Sequence, residues 1–323
     1  MAYRRAQNVI AESKALLPIC LLLAGYVWYE AGYAVKDMWV HAACLLLAVI
    51  LVEMVNFSHT LLRVDSRMTG SLVLLLNCTI LLLIPDMRVG ILQLCMAGMF
   101  FTLFYSYEKR HASGWVFYAF LCLGLASMVF VKVLCLAPLL WIILIMNLRS
   151  LTAKSFVASL LGMATPYWFA SAWYLYQGEI AQLITHVHGL LEWTFIPDYL
   201  WVGEHTLLAL VWGLILALIS IVHYIRQGYQ DNVRPRMFYN GILAIEIAIW
   251  VLLAFQPQYS IELFAMHIVC LSFLLAHFLT LTRTLLTNIV FFVFFLITLA
   301  LSAYHLWMPS SNFLSTMVIG ACA

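Results

Sequence analysis

The sequence is poor in charged residues. Asp, Glu, Lys and Arg together make up 9% of its 323 residues, whereas 65% are hydrophobic. A soluble domain carries about 25% charged residues, so these charges are too few to cover a surface in contact with water. The formal net charge of +2 also provides no basic face for nucleic acid. The composition therefore excludes a soluble enzyme and a nucleic-acid-binding protein, and it predicts an integral membrane protein in contact with the lipid bilayer.

Paired cysteine motifs are missing as well. The eight cysteines are spread along the chain without a CxxC motif, and none adjoins a cluster of His and acidic residues. A metal site or a disulfide framework requires paired spacing, so we interpret the cysteines as small packing residues. The cysteines therefore indicate no metal site, and nothing in the sequence requires a cofactor.

Long apolar segments make up most of the chain. Eleven segments are each close to the length that crosses about 30 Å of hydrocarbon. They lie near residues 15–33, 38–57, 70–85, 89–105, 114–131, 133–147, 156–175, 206–224, 240–255, 262–281 and 287–306. The sequence therefore predicts an all-α fold, a single polytopic helical bundle over residues 1–323 with about 11 transmembrane helices.

The distribution of Lys and Arg predicts the orientation of these segments. Every basic residue except Lys36, Arg88 and Lys132 falls at the N-terminal end or in alternate connections. Cytoplasmic connections are enriched in Lys and Arg. This alternation predicts an odd number of spans, with the N-terminus inside and the C-terminus outside.

The longest polar segment, residues 176–205, is predicted on the outer side and contains no Lys or Arg. Its Trp, Tyr and Phe side chains favour the headgroup zone of a membrane. Apolar residues at helical spacing predict an interfacial helix within 179–193 that Pro197 ends. The candidate catalytic group of this segment consists of four side chains: His186, His188, Glu192 and Asp198.

Three interpretations of this outer segment are open. A His or Glu side chain can deprotonate an acceptor hydroxyl in glycosyl or phosphoryl transfer, and aromatic walls suit stacking on sugar rings. A metal site is the second interpretation, but zinc needs three or four fixed ligands, whereas His186 and His188 diverge by about 200° on a helix. The third is a polar loop at the membrane surface without catalytic function.

Ionisable residues inside the predicted spans form a second candidate group. Such residues are costly in a membrane and are functional candidates for that reason. Glu53, Glu246 and His277 are expected at a similar depth, about 6 to 9 Å from the inner ends of their helices, and His267 shares a helix with His277. The first three are candidates for a proton relay or a substrate path. The alternative is that each hydrogen-bonds separately to a neighbouring helix.

Basic residues at the predicted cytoplasmic edge are candidate ligands of lipid phosphate. Arginine can hold a phosphate through two parallel hydrogen bonds, which makes Arg63, Arg67, Arg234 and Arg236 candidates. The alternative is that they set the orientation of the chain and contact anionic headgroups.

Helix packing is also indicated by small residues and proline. Gly124, Ala126 and Ser127 permit close packing of the fifth predicted span. Pro166 predicts a kink in the seventh, which ends near the outer segment.

Two stretches resemble a known family. Residues 63–72 read RVDSRMTGSL, and residues 115–169 include GLASMVF, NLRSLTAKSF and GMATPYWF. In these stretches the chain resembles a family of uncharacterised multi-pass inner-membrane proteins from Bacteroidota. The resemblance implies a location in the bacterial inner (cytoplasmic) membrane and carries no catalytic residues over to this sequence.

Functions of three classes are compatible with these features. The one we expect is handling of a lipid-linked glycan or lipid carrier in envelope biogenesis, through glycosyl transfer, ligation or polymerisation at the outer face, with a polyprenyl-phosphate-linked substrate. The second is proton-coupled transport through Glu53, Glu246 and His277. The third is a non-catalytic membrane subunit of an envelope assembly, bound to a membrane protein partner.

Overall fold

The computed structural model describes residues 6–30, 39–80, 86–193, 204–282 and 284–307. These residues form α-helices and short 3-10 helices, and no strand occurs among them, which confirms the all-α prediction. The α-helices are α1 (Ala6–Ala11), α2 (Leu16–Glu30), α3 (Trp39–His59), α4 (Met68–Ile80), α5 (Met87–Phe104), α6 (Ser113–Val129), α7 (Ala137–Met146), α8 (Ala153–Gln177), α9 (Ile180–His188), α10 (Glu204–Gln227), α11 (Val233–Phe255), α12 (Ser260–Leu281) and α13 (Leu285–Trp307).

Each predicted apolar segment contains one helix, from α2 to α8 and from α10 to α13. Six of the described helices are long and apolar enough to cross a membrane, judged by length and composition: α3, α5, α10, α11, α12 and α13. Several apolar helices of this length are consistent with an integral membrane protein. The count of eleven spans and the orientation of the termini stay predictions.

The helix α12 is enclosed by other helices. Every residue from Leu263 to Thr280 is buried, and α12 packs against α4, α5, α10 and α11. Its apolar residues cover the full circumference of the helix, which is typical of a helix in the centre of a bundle. The histidines of α12, His267 and His277, are therefore surrounded by protein.

The helices α6 and α8 approach closely at two glycines. A Cβ at Gly162 would lie 2.5 Å from the Phe117 carbonyl oxygen, and one at Gly124 would lie 2.9 Å from that of Met163. Small residues permit such backbone approach between membrane helices, and the predicted close packing at Gly124 is confirmed. Pro166 packs at the same contact, and α8 continues through it.

A tight turn leads from α8 into α9. Gly178 ends α8 with a φ of +75°, a left-handed conformation that costs glycine little. The next helix begins at Ile180, inside the range predicted for an interfacial helix, but it ends at His188. Pro197, the predicted end, lies outside the described residues. The position of α9 at a membrane surface stays a prediction.

Candidate functional site

The helix α9 directs its two histidines to different sides. His186 donates from Nε2 to the Ser127 carbonyl oxygen of α6 at 2.8 Å, whereas His188 is exposed beside α8. Side chains two residues apart on a helix diverge by about 200°, so these rings do not converge on one ligand. His186 therefore positions α9, and His188 is left accessible.

The predicted outer carboxylates do not join these imidazoles within the described residues. Glu192 is exposed, and its backbone oxygen accepts a hydrogen bond of 2.5 Å from Lys132 Nζ. No hydrogen bond in the described ranges connects the side chains of His186, His188 and Glu192. Asp198 lies outside those ranges. Three of the four residues of the predicted catalytic group are therefore described, and their side chains lie apart. One of them, His188, adjoins a groove.

That groove lies between α8 and α9 and has a volume of about 540 Å³. Its walls are mainly aliphatic and aromatic, and its polar groups are a few side chains that include His188 and Ser171. The lining residues are Ala164, Tyr167, Trp168, Ser171, Leu183, Ile184, Val187 and His188. Apolar walls with a few polar groups are typical of sites that bind a largely apolar ligand.

Lys132 is a buried cation that the sequence indicated only as a basic residue of a connection. It is 2% exposed, and its Nζ donates to Gln256 Oε1 at 2.8 Å in addition to the Glu192 backbone oxygen. The rings of Trp193 and Tyr259 lie 5.2 and 4.9 Å from Nζ, within the range of a cation–π interaction. Lys132 therefore connects the residues that follow α9 to those that precede α12.

Glu53 binds the N-terminus of α4. Its Oε1 accepts hydrogen bonds from the Gly70 backbone N–H at 2.6 Å and from Thr69 Oγ1 at 3.0 Å. The first N–H groups of a helix have no partner within the helix, and they favour a negative charge. No hydrogen bond among the described residues joins Glu53 to Glu246 or His277. The three side chains predicted as a relay are therefore not brought together as one cluster.

Glu246 pairs with His267. The Nδ1 atom of His267 on α12 lies 2.6 Å from Oε1 of Glu246 on α11, and Trp250 donates from Nε1 to the same oxygen at 3.0 Å. The side chains of Glu246 and His267 are 0% and 1% exposed. This pair links α11 to α12 inside the bundle. Trp250 was not indicated by the sequence, because a Trp in an apolar segment is an ordinary packing residue.

His277 pairs with Asp231, which follows α10. His277 Nε2 lies 2.9 Å from Asp231 Oδ2, and Arg63 donates to Oδ1 from Nε at 2.7 Å and from its NH2 group at 2.6 Å. Burial by itself raises the pKa of Asp231, but the hydrogen bonds and charges of His277 and Arg63 bring it below its usual value. Asp231 has no distinguishing signal in the sequence, because a carboxylate in a polar connection is usually solvated.

Arg63 and Arg67 share a pocket of about 670 Å³. Lys14, Glu12 and Asp65 also line it, so the pocket combines three basic side chains with two carboxylates. Arg63 reaches from this pocket to Asp231. The arrangement brings two of the four predicted phosphate-binding arginines to one place.

The other two arginines lie elsewhere. Arg234 stacks over Tyr107 and Phe238, 5.7 and 5.6 Å from their ring centres. One guanidinium nitrogen of Arg234 also lies 3.1 Å from Nδ1 of the buried His59. Arg236 is half-buried, and its backbone oxygen accepts a hydrogen bond from a tyrosine hydroxyl. The four arginines therefore do not form a single phosphate site.

The cysteines within the described ranges are free thiols. No group of three or more His, Cys, Asp or Glu side chains among these residues is arranged to hold a metal ion. Comparison of the chain with family models, with curated proteins and with solved structures finds no match.

Proposed function

We propose that this integral membrane protein binds a lipid carrier whose apolar chain lies in the groove between α8 and α9. The groove itself is the observation that supports the proposal. Trp168, Ile184 and Val187 line it and are all exposed, and exposed apolar surface of this kind marks sites of contact with lipids or apolar ligands.

The polar end of the lipid is proposed to lie next to His188. An imidazole can hydrogen-bond a phosphate, or it can act as general base toward an acceptor hydroxyl. Glu192, four residues further along the chain, is the next exposed candidate, whereas the ring nitrogen Nε2 of His186 is engaged by α6. The finer proposal is therefore transfer, ligation or polymerisation of a lipid-linked glycan, at the outer face of the bacterial inner membrane and without a cofactor.

A second lipid contact is proposed on the predicted cytoplasmic side. Arg63, Arg67 and Lys14 line a pocket wide enough for a headgroup, together with the carboxylates of Glu12 and Asp65. Arginine forms bidentate hydrogen bonds to phosphate. Arg234 is held by aromatic rings and by His59. Because Arg63 also binds Asp231, we assign the lipid phosphate to Arg67 and Lys14.

A photoreactive polyprenyl phosphate tests the proposal. The full chain in nanodiscs is irradiated with this probe, and crosslinked peptides are identified by mass spectrometry. We expect crosslinks in α8 and α9, and we expect Trp168→Ala to lose most of them because it removes a wall of the groove. Trp173→Ala is the matched control, since Trp173 is exposed on the same helix but does not line the groove.

Equal labelling of these two variants, or labelling spread over all lipid-facing helices, would contradict binding in the groove. Native mass spectrometry of the same sample tests the subunit alternative, because a protein partner retained at fixed stoichiometry supports it.

Proton-coupled transport is the second candidate function. The observation in its favour is that both histidines of the enclosed helix α12 pair with carboxylates.

A further inference from the structure

Glu246 and His267 form a polar pair enclosed by membrane-spanning helices. Both α11 and α12 are long and apolar enough to cross a membrane. The carboxylate oxygen Oε1 receives contacts from the His267 ring at 2.6 Å and from the Trp250 indole at 3.0 Å. An ionisable pair at such a position is costly, and it is a functional candidate for that reason.

The pair retains unused hydrogen-bonding atoms. Glu246 Oε2 and His267 Nε2 have no hydrogen-bond partner among the described residues. Within the same ranges, no Lys or Arg forms an ion pair with Glu246. A buried charge without a counter-charge is strongly unfavourable. The pair is therefore stable when one proton is shared between the carboxyl group and the imidazole, since its net charge is then zero.

The groups around the pair on α12 and α10 carry no compensating cation. Cys270 lies about one turn from His267 on α12, and Glu262 and His277 lie about 7.5 and 15 Å along the helix axis. On α10, Gly213 faces the imidazole, because a Cβ there would lie 2.9 Å from His267 Nε2. A side chain at that position would close the space next to the free ring nitrogen.

The remaining helices around α12 contribute uncharged groups. On α11, Trp250 contacts the pair and Tyr239 lies two turns from Glu246. On α4 and α5, Asn77 and Gln93 are buried, and they hydrogen-bond to each other at 2.9 Å. None of these side chains offsets a negative charge left by loss of the shared proton.

The second pair on α12 differs in this respect. Both carboxylate oxygens of Asp231 are hydrogen-bonded, and the Arg63 guanidinium offsets its charge. Asp231 therefore has a permanent counter-charge in Arg63 and needs no shared proton. The Glu246–His267 pair has neither a cation nor a partner for its second oxygen, so its proton is the only neutralising charge.

We propose that Glu246 and His267 form a proton-binding site inside the helical bundle. The site binds one proton from solution, shared between Glu246 Oε1 and His267 Nδ1. Release of the proton leaves one negative charge, so the site empties only when water or a cation reaches it. This inference is independent of lipid binding in the groove between α8 and α9.

Infrared difference spectra test the site on the full chain in nanodiscs, recorded between about pH 4 and about pH 9. We expect a C=O band of a protonated carboxyl group in apolar surroundings, with an intensity that depends on pH. The band is lost in Glu246→Gln and kept in Glu53→Gln, which removes another buried carboxylate. A band that persists unchanged in Glu246→Gln would overturn the proposal.

Trp250→Phe provides a second test in case Glu246→Gln does not fold. It removes one hydrogen bond to Oε1 and keeps both members of the pair. Because the indole N–H stabilises the ionised carboxylate, its loss displaces the pH midpoint of the band. A purely structural pair exchanges no proton, so monodisperse wild-type protein in which neither the carboxyl group nor the imidazole shows a pH-dependent band also overturns the proposal.

Discussion

Asp231 illustrates how single residues keep a charge in place at the end of the bundle. Its pKa is lower in the folded chain than usual, because His277 and Arg63 outweigh the effect of burial. A carboxyl group with a lowered folded pKa stabilises the fold at a pH above its unfolded pKa. This contribution is lost as the pH falls through the folded pKa. The pair therefore contributes its full stability at neutral pH and loses it in acid.

Replacement of Asp231 by Asn tests this assignment. We expect the free energy of unfolding at neutral pH to fall by about 2 kcal/mol, because the hydrogen bonds of Asp231 to charged groups are lost. The Arg63 side chain is 40% exposed, so water partly solvates the guanidinium that is left without a partner. Thermal unfolding followed from about pH 3 to about pH 8 measures the effect. The difference in Tm between wild type and variant narrows in acid. Asp65→Asn is the control, because Asp65 is exposed, and similar losses in both variants would contradict the assignment.

The sequence indicated Glu246, His267 and His277 as ionisable residues in apolar segments, but it indicated neither Asp231 nor which side chains pair. Glu246 and His277 stand out because ionisable residues are rare in apolar segments. Their partners lie 21 and 46 residues away along the chain. Which side chains meet depends on the rotation of each helix about its axis, and hydropathy contains little information about that rotation when a helix is apolar all round.

At the scale of elements, the apolar segments predicted the positions of the helices better than their lengths and their type. The helices α4 and α7 have 13 and 10 residues within the described ranges, about 20 and 15 Å, less than the thickness of the hydrocarbon core. A 3-10 helix, Val131–Leu136, precedes α7, and Pro138 lies in the first turn of α7, where proline is tolerated. Hydropathy alone does not distinguish a short helix such as α4, or a 3-10 helix followed by a short α-helix, from one continuous membrane-spanning helix.

The contact of α6 with α8 depends on the absence of side chains at its centre. We expect Gly162→Ala to lower the free energy of unfolding by about 2 kcal/mol, because the added Cβ meets backbone atoms of α6 that must move. Thermal unfolding of the purified protein measures the loss. Gly114→Ala on α6 is the control, since nothing lies within 4 Å of the new Cβ. A Gly162→Ala variant as stable as the control would contradict this expectation, because α6 and α8 could then move apart without a loss of stability.

The whole molecule has the apolar exterior expected of a chain in lipid. Large apolar side chains such as Leu22, Leu161 and Leu296 are exposed on the outer helices, whereas the enclosed helix α12 carries two histidines. A soluble protein would reverse this distribution. The described helices therefore agree with the composition.

The helix α8 offers a direct test of the orientation. It is not among the six helices that qualify as spans by length and composition, yet its 25 residues extend about 37 Å, enough to cross the hydrocarbon core. Lys154 and Gln177 are exposed at its two ends. The distribution of Lys and Arg predicts the first inside and the second outside.

Labelling with a membrane-impermeant maleimide on spheroplasts tests this prediction. We expect Gln177→Cys to react in intact spheroplasts and Lys154→Cys to react only after the membrane is permeabilised, and the parent chain reports the reaction of its own cysteines. The opposite pattern contradicts the orientation but keeps α8 as a span. Reaction of both positions from one side contradicts the span itself. If the opposite pattern is found, the groove and His188 face the cytoplasm, and the proposed lipid carrier binds on that side.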